Sequence, residues 1–223
     1  SLTIEPGQMV GVVGLSGAGK STLVNILTGL IPAESGCLSV DGVPITKDNT
    51  RSWLKRIGYV GQAPYILDAS LAENIALSRW GEEIDRDRVL ECCRMAALDF
   101  IETLDNGLDT VLGERGMRLS GGQAQRVAIA RALYSEPELI IFDEATSSLD
   151  IKNEKSIHAT ILSLRKKVTM VIIAHRLSTV EGCDSVIWLK KGRVHKVGRV
   201  DEVLPEYMAV LRGSMEQILP GNI

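Results

Sequence analysis

A glycine-rich segment near the start of the chain has the residue types and the spacing of a phosphate-binding loop. Four residues separate Gly14 from the closing Gly19-Lys20-Ser21, which is the P-loop pattern. Glycines let backbone N–H groups curl around phosphate oxygens, Lys20 would neutralise the β- and γ-phosphates of a nucleotide, and the Ser21 hydroxyl would ligate Mg²⁺. A glycine-rich turn without a ligand is the alternative. The predicted nucleotide-binding residues are Gly14, Leu15, Ser16, Gly17, Ala18, Gly19, Lys20, Ser21 and Thr22.

Two adjacent carboxylates follow an apolar run in the second half of the chain. The run Leu139–Phe142 is typical of a strand buried on both faces, and it ends at Asp143-Glu144. Such a strand would deliver Asp143 to the carboxyl edge of a parallel sheet, beside the phosphate loop, where it could hold Mg²⁺ through water. Glu144 would then polarise the attacking water as a general base. The alternative is that the two carboxylates simply begin a solvated helix.

The elements that must position these groups alternate between strands and helices. Residues 9–13 predict a buried strand before the phosphate loop, and an amphipathic helix follows the loop and would end at Pro32. The apolar face of that helix consists of Leu23, Ile26, Leu27 and Leu30.

The rest of the chain divides into a strand-rich part, a helical part and a second alternating part. Residues 36–62 carry strand signals around a turn at Asp41-Gly42, and residues 70–135 are mostly helical. The pattern predicts an α/β fold with a parallel sheet, in which a helical block between residues 64 and 134 forms a second lobe. The later predicted elements are strands at Leu139–Phe142, Val168–Ile173 and Val186–Leu189 and a helix over Asp201–Leu219.

Composition places the chain among ordinary folded proteins. Its 223 residues are 45% hydrophobic and 24% charged, which suits one domain with an inserted lobe. A net charge of −3 argues against a nucleic-acid-binding surface over the whole domain, though not against a local patch. The four cysteines form no CxxC pair, so zinc and thioredoxin-type chemistry are disfavoured and buried or inert thiols are expected. No apolar run approaches the length of a membrane span and no signal peptide is present, while residues 1–4 read as the middle of a strand and suggest a domain cut from a longer chain.

Four further motifs follow the order of a known family. Leu119–Gln123 reads Leu-Ser-Gly-Gly-Gln and resembles the signature of ATP-binding cassette (ABC) proteins, and Gln62 resembles the glutamine of their Q-loop. Ser148-Leu149-Asp150 resembles the D-loop and His175 the switch histidine. With the phosphate loop and the two carboxylates, the chain resembles the nucleotide-binding domain of ABC transporters from residue 3 to about residue 211.

This resemblance implies a specific fold and domain organisation. The family has a P-loop NTPase (RecA-like) core with a parallel sheet, an inserted α-helical subdomain and a small N-terminal antiparallel β region. Applied here, residues 1–223 form a single ABC ATPase domain truncated at its N-terminus, with the catalytic core at about 1–63 and 135–223 and the helical subdomain at about 64–134. The aromatic residue that stacks on adenine in the family would lie before Ser1.

The resemblance also implies a mechanism in which two domains sandwich two ATP molecules head to tail. Glu144, Gln62 and His175 would be catalytic, and Mg²⁺ would be held by Ser21, Gln62 and Asp143. The partner would cap the γ-phosphate with its signature, and the D-loop would lie in the dimer interface. A lone histidine at a strand end can instead be structural, as we interpret His158 and His195, and Ser-Gly-Gly before a helix can be a plain capping turn. The in-trans residues are Ser120, Gly121, Gly122 and Gln123, and the D-loop residues are Ser148, Leu149 and Asp150.

Three segments resemble the exporter branch of the family rather than the importers. They are Val111–Gly116, similar to the x-loop, Ser70–Ile75 after the Q-loop, and Ala174–Val180 at the switch. By the same resemblance, a surface that receives coupling helices from a transmembrane domain is expected, although its apolar members could pack in the local core instead. The expected coupling residues are Tyr65, Ile66, Leu67 and Glu114.

The sequence therefore predicts an ATP-hydrolysing domain that powers an exporter or flippase. The expected partners are a second nucleotide-binding domain, as a homodimer, and a transmembrane domain fused upstream, at the cytoplasmic face of a plasma or inner membrane; no nucleic acid is expected. One alternative is a soluble ABC ATPase of DNA repair, chromosome organisation or translation. Another is a degenerate cassette that binds ATP as a regulatory clamp, which would be expected to lack Glu144 or a signature residue.

Overall fold

A six-stranded sheet forms the centre of the computed structural model, which describes residues 2–216 except Trp80, Arg115–Gly116, Ser148 and His175. The strand order is β4-β5-β6-β1-β7-β8; the first five are parallel and β8 runs antiparallel to β7. A separate antiparallel pair joins β2 and β3. The strands are β1 (Met9–Val13), β2 (Ser39–Val40), β3 (Val43–Pro44), β4 (Ile57–Val60), β5 (Leu139–Asp143), β6 (Thr169–Ile173), β7 (Ser185–Lys190) and β8 (Arg193–Gly198).

Helices cover both faces of this sheet, so the predicted mixed α/β class with a mostly parallel sheet is confirmed. The α-helices are α1 (Lys20–Leu27), α2 (Thr50–Leu54), α3 (Leu71–Ala76), α4 (Arg86–Met95), α5 (Gly121–Tyr134), α6 (Ile151–Ser163) and α7 (Val200–Glu216). Short 3-10 helices lie at Leu77–Arg79, Asp99–Thr103, Gly107–Asp109 and Leu177–Thr179. None of the helices in the described part of the chain has the length and apolar character that a membrane span requires.

The alternation of side chains along each strand divides the core in two. Successive residues of a strand point to opposite faces of the sheet. In β1, Met9 and Val13 therefore belong to the larger cluster, with residues of α3 to α7, whereas Val10 and Val12 belong to the smaller one, with Val24 of α1 and Trp53 of α2. Burial on both faces explains why the parallel strands read as continuous apolar runs.

The structure corrects the predicted end of α1. The helix stops at Leu27, and Gly29 follows in a left-handed conformation with φ 74°. A glycine there ends a helix because it adopts positive φ without steric cost, so Pro32 is not the terminator. Leu30, expected on the apolar face, is 62% exposed, while Leu23 and Leu27 do pack against the smaller cluster.

The segment between α1 and β4 is also less strand-rich than predicted. The strands β2 and β3 have two residues each, and α2 was not predicted. Trp53 explains why this short helix persists: its ring is buried and its Nε1 donates to the Leu27 carbonyl at 2.8 Å. The edge strand β8 was missed as well, because most of its residues are exposed and give no apolar signal.

Three of the four cysteines are buried thiols. Burial raises the pKa of Cys92 to about 11 and the pKa values of Cys93 and Cys183 to about 12. Because the thiolate is the nucleophilic form, these three groups are unreactive at neutral pH, as expected. Cys37, by contrast, is exposed.

A buried asparagine connects α3, the loop before it and α5 by hydrogen bonds. Asn74 in α3 is fully buried, and its amide Nδ2 donates to the carbonyls of Leu67 and Ala69, both at 3.1 Å. Its Oδ1 accepts from the Leu67 N–H at 2.9 Å and from Arg131 of α5 at 3.1 Å. One side chain thus ties the loop before α3 to the helix α5. The proposed boundaries of the helical lobe, residues 64–134, stay a prediction.

Replacing Asn74 by leucine is expected to lower the free energy of unfolding by about 3 kcal/mol, because similar volume is kept while several buried polar groups lose their partner. Urea denaturation followed by circular dichroism measures this loss. The control is Asn106→Leu, at an exposed position. Equal losses of stability in the two variants would contradict the role of the Asn74 hydrogen bonds.

Candidate functional site

The predicted phosphate loop connects the end of β1 to the first residue of α1. A Cβ on Gly14 would lie 2.6 Å from the carbonyl oxygen of Leu189, so only glycine fits at this position. Gly19 has φ 99°, a conformation that L side chains rarely adopt, and it immediately precedes α1. The loop is therefore closely packed against β7 at its start and strained for any other residue at its end.

The Lys20 side chain is folded into the curl of this loop. It is 8% exposed, and its Nζ donates to the carbonyl oxygens of Gly14 at 2.9 Å and Leu15 at 3.3 Å. Ser21 and Thr22 follow at the start of α1 and are exposed. The loop thus combines a held ammonium group with the N-terminal end of a helix, an arrangement that binds anions.

Asp143 and Glu144 lie at the same sheet edge as the phosphate loop. In the strand register, Asp143 pairs with Ile173 of β6, and Ile173 pairs with Val12 of β1. Since neighbouring strands lie about 4.8 Å apart, the ends of β5 and β1 are separated by about 10 Å. The placement of Asp143 at the carboxyl end of β5 agrees with the sequence prediction.

The backbone turns sharply at Glu144. This residue has φ 54°, its N–H donates to the Ile173 carbonyl at 3.0 Å, and its carbonyl accepts from the Ser147 N–H at 3.0 Å and from the Ser147 hydroxyl at 2.8 Å. No solvated helix starts here, since α6 begins only at Ile151. Three hydrogen bonds therefore hold Glu144 at positive φ and fix the direction in which the chain leaves β5.

Tyr59 of β4 joins this edge, although the sequence analysis did not identify it. Its hydroxyl donates to Asp143 Oδ2 at 2.9 Å. Tyr59 is 53% exposed, and partial burial of its hydroxyl end, the hydrogen bond and the negative charges of Asp143 and Glu144 raise its pKa to about 12. The contact depends on the register between β4 and β5, which local sequence does not reveal. Gln62 follows β4 and is exposed.

Ser120 caps the helix that carries the signature, as predicted. Its Oγ accepts from the Gln123 N–H at 3.3 Å, and the Gln123 Oε1 accepts from the Ser120 N–H at 2.8 Å, forming a capping box. The exposed Gly121 comes next, followed by the buried Gly122. Among the described residues, no hydrogen bond or ion pair joins this segment to residues 14–21 of the same chain.

The predicted D-loop packs on the signature helix. A Cβ on Gly121 would lie 3.3 Å from Leu149 Cδ2, and one on Gly122 would lie 2.8 Å from Asn153 Oδ1. Asp150 caps α6 by accepting from the N–H groups of Lys152 and Asn153, and the hydrogen bonds from Asn153 lower its pKa. Leu149 and the signature therefore form one packed unit, whereas Ser148 lies outside the described residues.

The predicted switch histidine, His175, also lies outside the described residues. Its neighbour Arg176 forms an ion pair with Glu154 of α6, which is 9% exposed. This pair connects the segment after β6 to the helix that Asp150 caps.

The predicted coupling residues are brought together but differ in burial. Tyr65 is 73% exposed and Glu114 is exposed, while Ile66 packs partly against the larger core cluster. The backbone of Leu67 is bound by Asn74, as described above. The segment before Glu114 lies alongside, since a Cβ on Gly113 would be 3.0 Å from the Asp68 Cα. Arg115 and Gly116 of the x-loop lie outside the described residues.

A partly buried arginine links this surface to the helix that carries the predicted signature. Arg131 of α5 donates from Nη1 to the Tyr65 carbonyl at 2.9 Å and from Nε to the Asn74 carbonyl at 2.7 Å. Burial lowers its pKa. The segment around Tyr65 is thus held directly by α5.

Comparisons with known proteins agree with this arrangement. A family model described as "ABC transporter" matches residues 1–147. The ATP-dependent lipid A-core flippase of Coxiella burnetii is 44% identical over 205 residues, which is 92% of this chain and 35% of that protein. The β-(1→2)glucan export ATP-binding/permease protein NdvA of Rhizobium johnstonii is 44% identical over 218 residues, 96% of this chain and 37% of that protein.

A solved structure supports the same relation. The structure of a bacterial Atm1-family ABC exporter with ATP bound matches with a TM-score of 0.78 and 38% identity, over 91% of this chain and 36% of that one. The chain therefore spans about a third of the length of the proteins it matches. All three of these matches are named as a flippase or an exporter. Since the family model covers most of the chain, this ATP-binding domain belongs to the ABC transporter family, as the order of its motifs predicts.

Proposed function

We propose that the chain is the ATPase domain of an exporter or flippase, which hydrolyses ATP to ADP and phosphate to drive transport. The observation that carries this proposal is the meeting of two groups at one sheet edge. The glycine loop with Lys20 ends β1, and Asp143-Glu144 ends β5 in the same row across the sheet. In this proposal the Lys20 ammonium would bind the phosphates, and the two carboxylates, two strands away along the same edge, would serve the metal ion and the attacking water.

ATP would bind with its phosphates in the loop that Lys20 now fills. The ammonium group is already desolvated and bonded to two backbone carbonyls. Phosphate oxygens would replace these neutral acceptors, and hydrogen bonds between charged groups are the stronger ones. The helix α1 adds N–H groups that point at the same anion. Residues 14–22 are accordingly the nucleotide-binding residues of the proposal.

The donor set at this edge fits Mg²⁺. Ser21 offers an exposed hydroxyl, Asp143 a carboxylate and Gln62 an amide oxygen, and hard oxygen ligands are those that Mg²⁺ prefers. When bound, the ion would neutralise charge on the β- and γ-phosphate oxygens. Asp143 would hold it through water, while Ser21 and Gln62 would contact it from the phosphate loop and from the segment after β4.

Glu144 would act as the general base. A water molecule attacks the γ-phosphorus, the bond from phosphorus to the β–γ bridging oxygen breaks, and the water proton passes to the Glu144 carboxylate. The left-handed turn at Glu144 directs the chain away from β5 at this point, which supports a fixed position for the side chain. By family resemblance, Gln62 and His175 would complete the catalytic set around the γ-phosphate.

The second half of each site would come from another copy of the domain. The capped N-terminus of α5 presents exposed Gly121 and N–H groups that suit a γ-phosphate. No hydrogen bond among the described residues joins it to the phosphate loop of its own chain, which supports binding in trans by Ser120 to Gln123. The D-loop would accompany the signature into the dimer interface.

Transport would require a transmembrane domain that contacts the domain near Tyr65. The exposed Tyr65 and Glu114 and the adjoining Ile66 and Leu67 would receive it at the cytoplasmic face of the membrane, where ATP is available. The relatives named flippase and export permease are about three times as long as this chain, which supports a transmembrane domain in the same polypeptide.

The proposal is tested by ATPase assays together with fractionation of native cells. An antibody against this domain should detect a band far heavier than 24.2 kDa in carbonate-washed membranes, and that protein should release phosphate from ATP. A band of about the size of this domain, released by carbonate, would indicate a separate subunit that docks on a membrane partner. A soluble band that co-sediments with ribosomes or chromatin would refute the transport function.

A further inference from the structure

The tyrosine of β4 has a place at the sheet edge that none of the family motifs explains. Tyr59 pairs with Ile141 in the parallel register of β4 and β5. Because alternate residues share one face, Tyr59 lies diagonally opposite Asp143, two residues beyond Ile141. A long side chain is needed to span this diagonal, and the phenol hydroxyl reaches Asp143 Oδ2 at 2.9 Å.

The ring of Tyr59 is also supported by the backbone that follows it. A Cβ on Gly61 would lie 3.2 Å from Tyr59 Cε1, so the glycine leaves room for the ring to lie against the segment leading to Gln62. In addition, the Gln125 side chain of α5 donates to the Gly61 carbonyl at 3.0 Å. The position of the phenol is thus constrained from the side of the Q-loop.

The hydrogen bond from Tyr59 restricts the orientations of the Asp143 carboxylate. In the described part of the chain, Tyr59 is the group that hydrogen-bonds this carboxylate. An O–H donor occupies one carboxylate oxygen and leaves the other available for a further ligand, and such second contacts orient the groups that hold metal ions.

We propose that Tyr59 is a positioning residue for Asp143, whose hydroxyl holds the carboxylate in the orientation that binds hydrated Mg²⁺ beside the nucleotide. This inference rests on the proposed function, because it assigns Tyr59 to the metal side of the same site. If Tyr59 has this role, removing its hydroxyl should lower the affinity of the site for the metal ion. The contacts between the phosphate loop and the nucleotide should stay unchanged, which a general loss of structure would not produce.

The test uses Mn²⁺ as a probe on the full-length protein with a saturating non-hydrolysable ATP analogue. Electron paramagnetic resonance measures the Kd of Mn²⁺, and a separate titration in EDTA measures the affinity for the analogue. Tyr59→Phe should raise the Kd of Mn²⁺ about tenfold. The affinity for the analogue without metal should stay within about twofold of the parent value. Tyr134→Phe is the matched control, since it removes a hydroxyl whose partner is the Asp85 N–H at 3.0 Å, a contact that involves none of the proposed site residues.

A double-mutant cycle with Asp143→Asn provides the second measurement. If Tyr59 acts through Asp143, adding Tyr59→Phe to the Asp143→Asn protein should not change the Kd of Mn²⁺ any further. Equal Mn²⁺ affinity in Tyr59→Phe and the parent, or the same loss with and without Asp143, overturns the assignment. Binding of the analogue to the parent protein is measured first. If the parent does not bind it, the proposed function is refuted, and the role of Tyr59 with it.

Discussion

Replacing Glu144 by glutamine is expected to reduce steady-state ATP hydrolysis at least about a hundredfold while ATP still binds. Glutamine keeps the size of the side chain but cannot accept the proton of the attacking water at neutral pH. The Glu144 N–H and carbonyl, which hold the turn after β5, are unaffected by the change. Phosphate release measures hydrolysis, and equilibrium binding of labelled ATP measures affinity.

Since ATP then stays bound, the two copies should remain associated and elute as a dimer in the presence of ATP. Glu138→Gln is the control, because Glu138 precedes the opposite end of the same strand, where it pairs with Arg56 on the surface. A Glu144→Gln protein that hydrolyses ATP at the parent rate would show that another group accepts the proton.

Mixing two inactive variants should restore activity if the signature acts on the partner's nucleotide. Lys20→Ala removes the phosphate-binding ammonium, and Ser120→Arg places a bulky cation where the γ-phosphate would be capped. In a mixed dimer, one of the two sites combines the intact loop of one copy with the intact signature of the other. Co-expression in equal amounts should yield about a quarter of the parent ATPase rate if the sites are independent.

A signature that acted on the nucleotide of its own copy would give a different result. If Ser120 served the phosphate loop of its own copy, each site in the mixed dimer would contain one defect, and the mixture would be as inactive as either variant alone. Ser120→Thr serves as the control for the cap of α5, because threonine also accepts from the N–H groups at a helix start.

The positions of the phosphate loop and of the two carboxylates after β5 could be predicted from the sequence because their signals are local. The glycines, Lys20 and the apolar run before Asp143 lie in consecutive positions, and a buried parallel strand necessarily ends at the carboxyl edge of its sheet. The same holds for Ser120, where the Ser-x-x-Gln spacing of a capping box is visible in the sequence. The roles of these residues in catalysis stay predictions.

The remaining features depend on contacts between distant segments, which a single sequence does not reveal. Tyr59 reaches Asp143 only because β4 and β5 pair in one register. The helix α2 persists because Trp53 packs on the end of α1, and β8 is recognisable only once β7 is in place to pair with it. Leu30 fitted the helical period, but the glycine before it had already ended α1.

The helix that begins at the signature has a mechanical consequence for the proposed transporter. With 14 residues and a rise of 1.5 Å per residue, α5 is a stiff rod about 21 Å long. One end would sit on the partner's nucleotide, and Arg131 near the other end grips the backbone of Tyr65 and Asn74. When two copies close around ATP, movement of the first end of α5 would shift the segment around Tyr65 at the other end. One rigid helix would thus transmit ATP binding to the surface proposed to contact the transmembrane domain.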